Sequence, residues 1–184
     1  KNFAGADFRN AGGQIGYITL FRPSDVTVGP DGAIYVCDWF DARVGGHSTR
    51  DRGMTGAIYR IAPKDAKLTI PKFDLSKTEG QIAALKNPSP NVRELGRARL
   101  EASGAKAISA VLTLLKDPNP FIQARAIWLL AKLGSTGLAE VENKLTHKDP
   151  QIRLTAFRAL RHEGHKTLKH AAKLAGDPSP LVRR

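Results

Sequence analysis

The chain has 184 residues, of which 41% are hydrophobic and 25% charged, and its formal net charge is +12. This composition is typical of a folded protein and excludes collagen-like and strongly disordered classes. No run of about 18 apolar residues is present, so the sequence predicts no membrane span. A single cysteine, Cys37, excludes an intrachain disulfide and a Cys-x-x-Cys-His haem attachment. The chain opens without methionine or a signal-like segment, and we expect it to be an internal piece of a longer protein.

Charge and glycine divide the chain into two halves. Residues 1–63 carry 7 basic and 6 acidic side chains, a net charge of +1, whereas residues 64–184 carry 22 basic and 11 acidic ones, a net charge of +11. Ten of the 17 glycines lie before residue 64. We therefore predict a first domain over 1–63, a linker over 64–78 and a second domain over 79–184.

The first half has the pattern of β-strands. Short β-branched or alternating runs predict strands at 15–21, 25–28, 33–39 and 56–61. Gly29-Pro30-Asp31-Gly32 is a turn cluster between the second and third of these runs. Strand, tight turn, strand, loop and strand make an antiparallel meander. A meander of this size cannot bury both of its faces alone, so it needs neighbours, as a propeller blade does.

The second half has a helical pattern that repeats every 30 residues. In the middle repeat, apolar residues at helical spacing predict a first helix over 121–133 and a second helix after Gly134, which suits a C′ position with positive φ. Asn87, Asp117 and Asp177, each followed by proline, are predicted to cap helices. The third repeat departs here, with His147-Lys148. The residues that keep the period are the prolines 90, 120, 150 and 180 and the glycines 104, 134 and 164.

Both halves resemble known families. The pattern Asp-Pro-x-Pro-x-Val-Arg, helix, Gly, helix over residues 79–184 resembles a short HEAT repeat of the bilin-lyase type, which implies an α-solenoid that serves as an interaction scaffold. Residues 21–39, with Gly46-His47, 50–52 and 56–61, are similar to the last blade of glucose/sorbosone dehydrogenase propellers. The order of blade and then HEAT repeats resembles the membrane-bound dehydrogenase-like proteins of PVC type.

This resemblance implies an α+β protein in two parts, a β-propeller-blade fragment followed by a HEAT-repeat solenoid. It implies that the parent protein is an extracytoplasmic, quinoprotein-like oxidoreductase of sugars or alcohols, with a quinone cofactor, calcium and haem c. No cofactor is evident in the residues of this piece, and we expect the piece not to be catalytic alone. The partners implied are another protein or the parent's own propeller and cytochrome domains, rather than nucleic acid.

The catalytic candidates are His47, Arg50 and Arg52, in the polar segment between the third and fourth predicted strands. Arginine binds planar carboxylates and histidine exchanges protons near neutral pH, so these residues suit the mouth of a propeller channel. The competing interpretation is a loop held by ion pairs to nearby aspartates.

The sequence predicts no metal site. His162-Glu163 is similar to the His-Glu pairs of HEAT-type di-iron hydroxylases, but the positions 30 and 60 residues earlier hold no such pair. His162, Glu163 and His165 also fail the His-Glu-x-x-His pattern, because the second histidine comes too early.

An alternative function follows from the charge of residues 64–184. A basic HEAT-repeat module can bind nucleic acid or another polyanion and have no redox role. The basic residues are spread over both helices of each repeat and no aromatic stacking platform accompanies them. A solvated basic face, or one that docks an acidic domain, explains the same residues.

Overall fold

A computed structural model describes residues 23–38 and 57–184, and the chain separates into two compact units. The first unit comprises residues up to Pro71 together with 88–90, and the second comprises 72–87 and 91–184. The described residues form a small antiparallel sheet followed by helices, so the fold is of the mixed α+β kind.

The first unit contains a three-stranded antiparallel sheet. Its strands are β1 (Pro23–Val28), β2 (Ile34–Asp38) and β3 (Ala57–Ile61), in the order β1-β2-β3. These strands confirm the predictions at 25–28, 33–39 and 56–61. The strand predicted at 15–21 lies outside the described residues.

The turn between β1 and β2 is closed by its own residues. The Gly29 N–H donates to the Ala33 carbonyl at 2.8 Å, and Gly32 has a φ of +83°, which favours glycine. Asp31 is more than a turn residue: Oδ1 accepts from the Ala33 N–H at 3.0 Å, and Oδ2 accepts from Arg60 Nη2 at 2.7 Å. Hydrogen bonding from Arg60 lowers the pKa of Asp31, so this aspartate ties β3 to the turn as an anion.

The second unit is helical. No strand follows Ile61 in the described part of the chain, and none of its helices is long and apolar enough to cross a membrane. Short 3₁₀ turns precede and follow α3 and extend α5. The helices are α1 (Thr78–Lys86), α2 (Pro90–Ala102), α3 (Ile108–Thr113), α4 (Pro120–Ala131), α5 (Gly134–Asn143), α6 (Pro150–His162), α7 (Thr167–Leu174) and α8 (Pro180–Arg183).

The 30-residue period sets where helices begin and where the chain turns. In every period the proline is the first residue of a helix. Proline lacks a backbone N–H, which costs little at this position because the N–H would have no intrahelical partner there. The glycines at 104, 134 and 164 all have positive φ, at 56°, 78° and 68°. The positive φ predicted for Gly134 is thus confirmed, and the same conformation recurs one period before and one after it. The C′ position predicted for Gly134 is wrong, because the C-cap of α4 is Lys132 and Gly134 begins α5.

The predicted capping residues do not begin the helices that follow them, and Asn87 is instead the C-cap of α1. The N-caps of α4 and α6 are Asn119 and Asp149, whose side chains accept from the backbone N–H two residues on. Asp117 and Asp177 instead accept from the N–H groups of residues 119 and 179, at 2.9 and 2.8 Å. These aspartates close the turn before each helix rather than capping it, because the proline that begins the helix comes three residues later.

The third repeat keeps this turn with a different residue. His147 stands where the neighbouring repeats have Asp117 and Asp177, and its Nδ1 accepts from the Asp149 N–H at 3.1 Å. A ring nitrogen therefore replaces a carboxylate oxygen in the same hydrogen bond, and the departure from the sequence repeat preserves the local structure.

The helical core lies where the apolar stripes of successive helices meet. Fully buried side chains of α2, α3, α4, α5 and α6 form one continuous cluster, to which α1, α7 and α8 add further buried residues. Each large aliphatic side chain buried in this way contributes about 1.5–3 kcal/mol. The most buried of the large side chains are Leu100, Val111, Ile127, Leu129, Leu130, Val141 and Leu160.

A second periodic feature is a side chain that donates back across each turn. The residue three positions after each helix-starting proline donates a side-chain N–H to the carbonyl six residues earlier. The four donor–acceptor pairs are Arg93 to Asn87 at 3.4 Å, Gln123 to Asp117 at 2.7 Å, Arg153 to His147 at 2.7 Å and Arg183 to Asp177 at 2.6 Å. These bonds satisfy carbonyls that the end of the preceding helix leaves without intrahelical partners.

Arg153 also forms the most buried ion pair of the helical unit. Its Nε and Nη2 donate to the two carboxylate oxygens of Asp177 at 2.7 and 2.6 Å, and the two side chains are 10% and 5% exposed. Hydrogen bonding from Arg153 lowers the pKa of Asp177. The pair joins the first helix of one repeat to the turn that begins the next.

We expect Asp177→Asn to lower the thermal midpoint at pH 7 by several degrees, because the buried Arg153 guanidinium loses its counter-charge. The native pKa of Asp177 lies below its unfolded value of about 3.9, so its stabilisation is complete above that pH and is lost as the pH falls. The wild-type midpoint should therefore fall more steeply than that of the variant below about pH 4. Melts followed by circular dichroism test this. Equal midpoints at pH 7 would contradict it, and the exposed Glu79→Gln serves as control.

Candidate functional site

One polar cluster lies inside the helical unit. It consists of Glu142 on α5, His165 and Lys166 in the connection between α6 and α7, and His170 on α7; we call it the Glu142 cluster. It joins the second helix of one repeat to the second helix of the next. Among the described residues these are the histidines and carboxylates whose ligand atoms lie close enough to share one metal ion.

The end of α6 places His165. The chain leaves the helix through Gly164, whose φ is 68°, with its N–H donating to the Arg161 carbonyl at 3.1 Å and the His165 N–H donating to the Leu160 carbonyl at 2.9 Å. This pair of bonds is a Schellman motif, which caps the helix and fixes the direction in which the chain departs.

Lys166 then turns the chain into α7. Its φ of 46° and ψ of 35° lie in the left-handed region, which a residue other than glycine occupies at a cost of about 1–2 kcal/mol. Two residues five apart on a continuous helix point about 140° away from each other. Because Lys166 interrupts the helix between them, His165 and His170 instead face the same carboxylate, with ring centroids 6.2 Å apart.

The distances centre on the Glu142 carboxylate. His170 Nε2 lies 3.0 Å from Oε1 and His165 Nε2 lies 3.4 Å from Oε2. Lys166 Nζ lies 3.1 and 3.0 Å from the same two oxygens. The three side-chain ligand atoms of Glu142, His165 and His170 are all within 4.8 Å of one another.

The charges of the cluster follow from burial and pairing. Hydrogen bonding from Lys166 lowers the pKa of Glu142, so this carboxylate is ionised at neutral pH. Burial lowers the pKa of His170, although the charge of Glu142 opposes that shift. His170 is therefore held as the neutral imidazole, the form that binds metal ions.

The two imidazole nitrogens have no hydrogen bond of good geometry. Nε2 of His165 and Nε2 of His170 are both inaccessible to solvent, and neither is well aligned for a hydrogen bond with the nearby carboxylate. The His170 side chain is only 7% exposed, whereas those of His165 and Glu142 are 23% and 25% exposed. Buried polar atoms are normally satisfied, so these nitrogens are exceptions that need an explanation.

The cluster occurs at one repeat junction and not at the others that the described chain contains. Counting back 30 and 60 residues from Glu142 leads to Leu112 and Ile82, two apolar side chains that pack against the core. Counting back 30 from His165 and His170 leads to Ser135 and Glu140. A carboxylate therefore stands where the repeat calls for an aliphatic side chain, and departures of this kind concentrate at functional sites.

The sequence-predicted site and this cluster do not coincide. His47, Arg50 and Arg52 lie outside the described residues. In the sequence His165 lies beside His162 and Glu163, and its distance from Glu142 along the chain hides their contact. The signal that points to the cluster is a comparison of repeat positions, in which Glu142 alone breaks an apolar column.

Comparison with known protein families finds no family that matches this chain. Comparison with curated proteins likewise finds no match.

We expect the His170 imidazole to titrate below the usual value of about 6.5, because its burial penalises the charged form. Glu142→Gln should lower this midpoint further, since the carboxylate is the one group raising the pKa against burial and against the positive charges of Lys166 and Lys169. Titration of the assigned His170 ring proton by NMR, in the presence of a chelator, measures both midpoints. An upward shift in the variant would contradict this account of the cluster.

Proposed function

We propose that this chain is a piece of an extracytoplasmic, quinoprotein-like sugar or alcohol dehydrogenase-like protein. Its sheet is a fragment of a β-propeller blade and its helices are HEAT-type repeats. The helical part acts as an interaction scaffold that docks a protein partner or the parent's own propeller or cytochrome domain. The electron-transfer chemistry belongs to the parent and not to this piece alone.

The observation that carries the scaffold proposal is the repeated turn between consecutive helical repeats. At each junction a side chain three positions after the helix-starting proline donates to the carbonyl six residues earlier. Contacts that recur at a constant step between neighbouring units are what stacked repeats require. Scaffolds of this type bind partners through extended surfaces, which is the function we infer for the helices.

The sheet supports the blade proposal through an apolar face that is partly exposed in the described part of the chain. The register places Val26, Val36 and Tyr59 side by side, and next to them Val28, Ile34 and Ile61, all on one face. Val26 is 65% exposed and Ile34 is 42% exposed. A three-stranded sheet with an open apolar face is not stable alone and needs further strands or a packed neighbour.

The residues of this piece have to be compared with each cofactor that the resemblance implies. With a single cysteine the chain holds no Cys-x-x-Cys-His attachment, so a haem c has to be bound elsewhere in the parent protein. The arginines and histidine suited to an anionic quinone, Arg50, Arg52 and His47, lie outside the described residues. We therefore derive no catalytic step from this chain.

The reading frame that contains this chain tests the dehydrogenase proposal. We expect it to encode further blades before Lys1 and a Cys-x-x-Cys-His motif after Arg184. We also expect the purified parent protein to reduce an artificial electron acceptor when a sugar or alcohol is added. A parent without additional blades, or one without a haem-binding motif, would count decisively against the proposal.

Deletion of one whole period tests the repeat architecture. Removing residues 120–149 joins Asn119 to Pro150 and preserves a turn followed by a helix-starting proline. Because each repeat contacts mainly its neighbours, we expect a helical protein that still melts cooperatively, with a reduced midpoint. Removing only 120–133, which deletes one helix of a pair, should abolish the cooperative melt. Circular dichroism measures both, and equal loss of structure in the two deletions would argue against stacked repeats.

A further inference from the structure

We propose that Glu142, His165 and His170 bind one divalent transition-metal ion, of which zinc is the best match, at the junction of the second and third helical repeats. This inference goes beyond the scaffold function and does not depend on it. It adds a binding site to a chain whose sequence predicts none, and it rests on four features of the Glu142 cluster.

The first feature is the chemistry of the ligands. Two imidazoles and one carboxylate form a set of two nitrogens and one oxygen, which is typical of zinc sites that keep a fourth position open. Magnesium and calcium prefer sets made of oxygen atoms alone. The donor set therefore favours zinc and its first-row neighbours over the hard cations.

The second feature is the spacing of the ligand atoms. With metal–ligand bonds of about 2.1 Å, two ligand atoms of a tetrahedral site lie about 3.4 Å apart. In the Glu142 cluster His165 Nε2 is 3.4 Å and His170 Nε2 is 3.0 Å from a carboxylate oxygen, and no pair of ligand atoms exceeds 4.8 Å. Small rotations of the side chains are enough to bring all three onto one ion.

The third feature is the pair of unsatisfied nitrogens. Nε2 of His170 is buried and aimed into the cluster without a hydrogen bond, and Nε2 of His165 is in the same situation. Each lies close to the carboxylate, at 3.4 and 3.0 Å, yet neither is well aligned to donate a hydrogen bond to it. A metal ion placed between the three side chains gives both nitrogens the partner that the protein does not supply.

The fourth feature is the break in the repeat. Glu142 replaces the aliphatic residues found at the equivalent positions, Leu112 and Ile82, and the two histidines face it from the next repeat. The positions equivalent to Glu142 pack apolar side chains against the core in other repeats. A charged side chain at this position gives up the stabilisation that such apolar burial provides. A bound ion that crosslinks α5 to the start of α7 offsets this loss by mass action.

Lys166 is the competitor of the ion. Its ammonium contacts both carboxylate oxygens, so it neutralises Glu142 when no metal is bound. The Lys166 side chain is 49% exposed, which allows it to turn into solvent when an ion takes its place. Its removal should therefore strengthen metal binding, whereas its removal from a plain ion-pair cluster would only weaken the fold.

The test is a zinc titration of the full chain without a polyhistidine tag, followed by calorimetry and by thermal melts. We expect one equivalent of Zn²⁺ to bind and to raise the midpoint, and Mg²⁺ or Ca²⁺ to do neither. Glu142→Gln and His170→Gln should each weaken zinc binding by at least about 10–100-fold, the loss known for residues that merely orient a metal ligand. His162→Gln, which alters an exposed histidine outside the cluster, should bind as the wild type does.

Two further measurements keep the proposal testable if His170→Gln fails to fold. Lys166→Met should bind zinc several-fold more tightly than the wild type, and Co²⁺ should give the visible absorption of a four-coordinate ion with nitrogen ligands. The absence of a one-equivalent transition in the wild type would overturn the proposal. Binding that is equal in the wild type, Glu142→Gln and Lys166→Met would also overturn it, because the metal would then sit elsewhere in the chain.

Discussion

The pairing of Arg153 with Asp177 is the contact on which the end of the helical unit depends. The two side chains are almost fully buried, and Arg153 also donates to the carbonyls of His147 and Lys148. Asp177 in turn accepts from the Ser179 N–H and from Arg183. Since a buried charge is tolerated only when its partners surround it, one pair constrains two consecutive turns and the helices that follow them.

Earlier junctions use weaker versions of the same arrangement. Asp117 accepts from the Asn119 N–H and from Lys86 Nζ, which lies 2.8 Å from Oδ2 and is partly exposed. His147 replaces the aspartate, and its side chain keeps only the hydrogen bond from the Asp149 N–H. The backbone geometry of the turn is therefore common to the junctions, whereas the charge that supports it differs from one to the next.

The Glu142 cluster differs from these turns. At the turns a substituted residue keeps the same hydrogen bond, whereas at the cluster a charged residue replaces an apolar one. Glu142, two histidines and a lysine meet here, whereas the position one period before Glu142 holds Leu112, which packs against the core. A left-handed lysine and two imidazole nitrogens without hydrogen bonds add to the cost of this arrangement. Costs of this kind persist where the surrounding structure over-determines them, and they point to a site that binds something.

Local patterns were enough to predict the three strands and the helical character of residues 79–184 in the described part of the chain. Alternation and the Gly29–Gly32 turn cluster indicated β1 to β3, and the 30-residue period indicated the repeating helices and the positive φ at Gly134, since glycine and proline permit or restrict the backbone locally. The pairing of Asp31 with Arg60 and that of Arg153 with Asp177 join residues 29 and 24 positions apart, and both were decided by tertiary structure. So was the meeting of Glu142 with His165 and His170, which lie more than 20 residues further along the chain. The turn at Gly164–Lys166 sets the direction of the next helix, and this direction decides which polar groups meet in a buried site. The spacing of residues along the chain does not specify that direction.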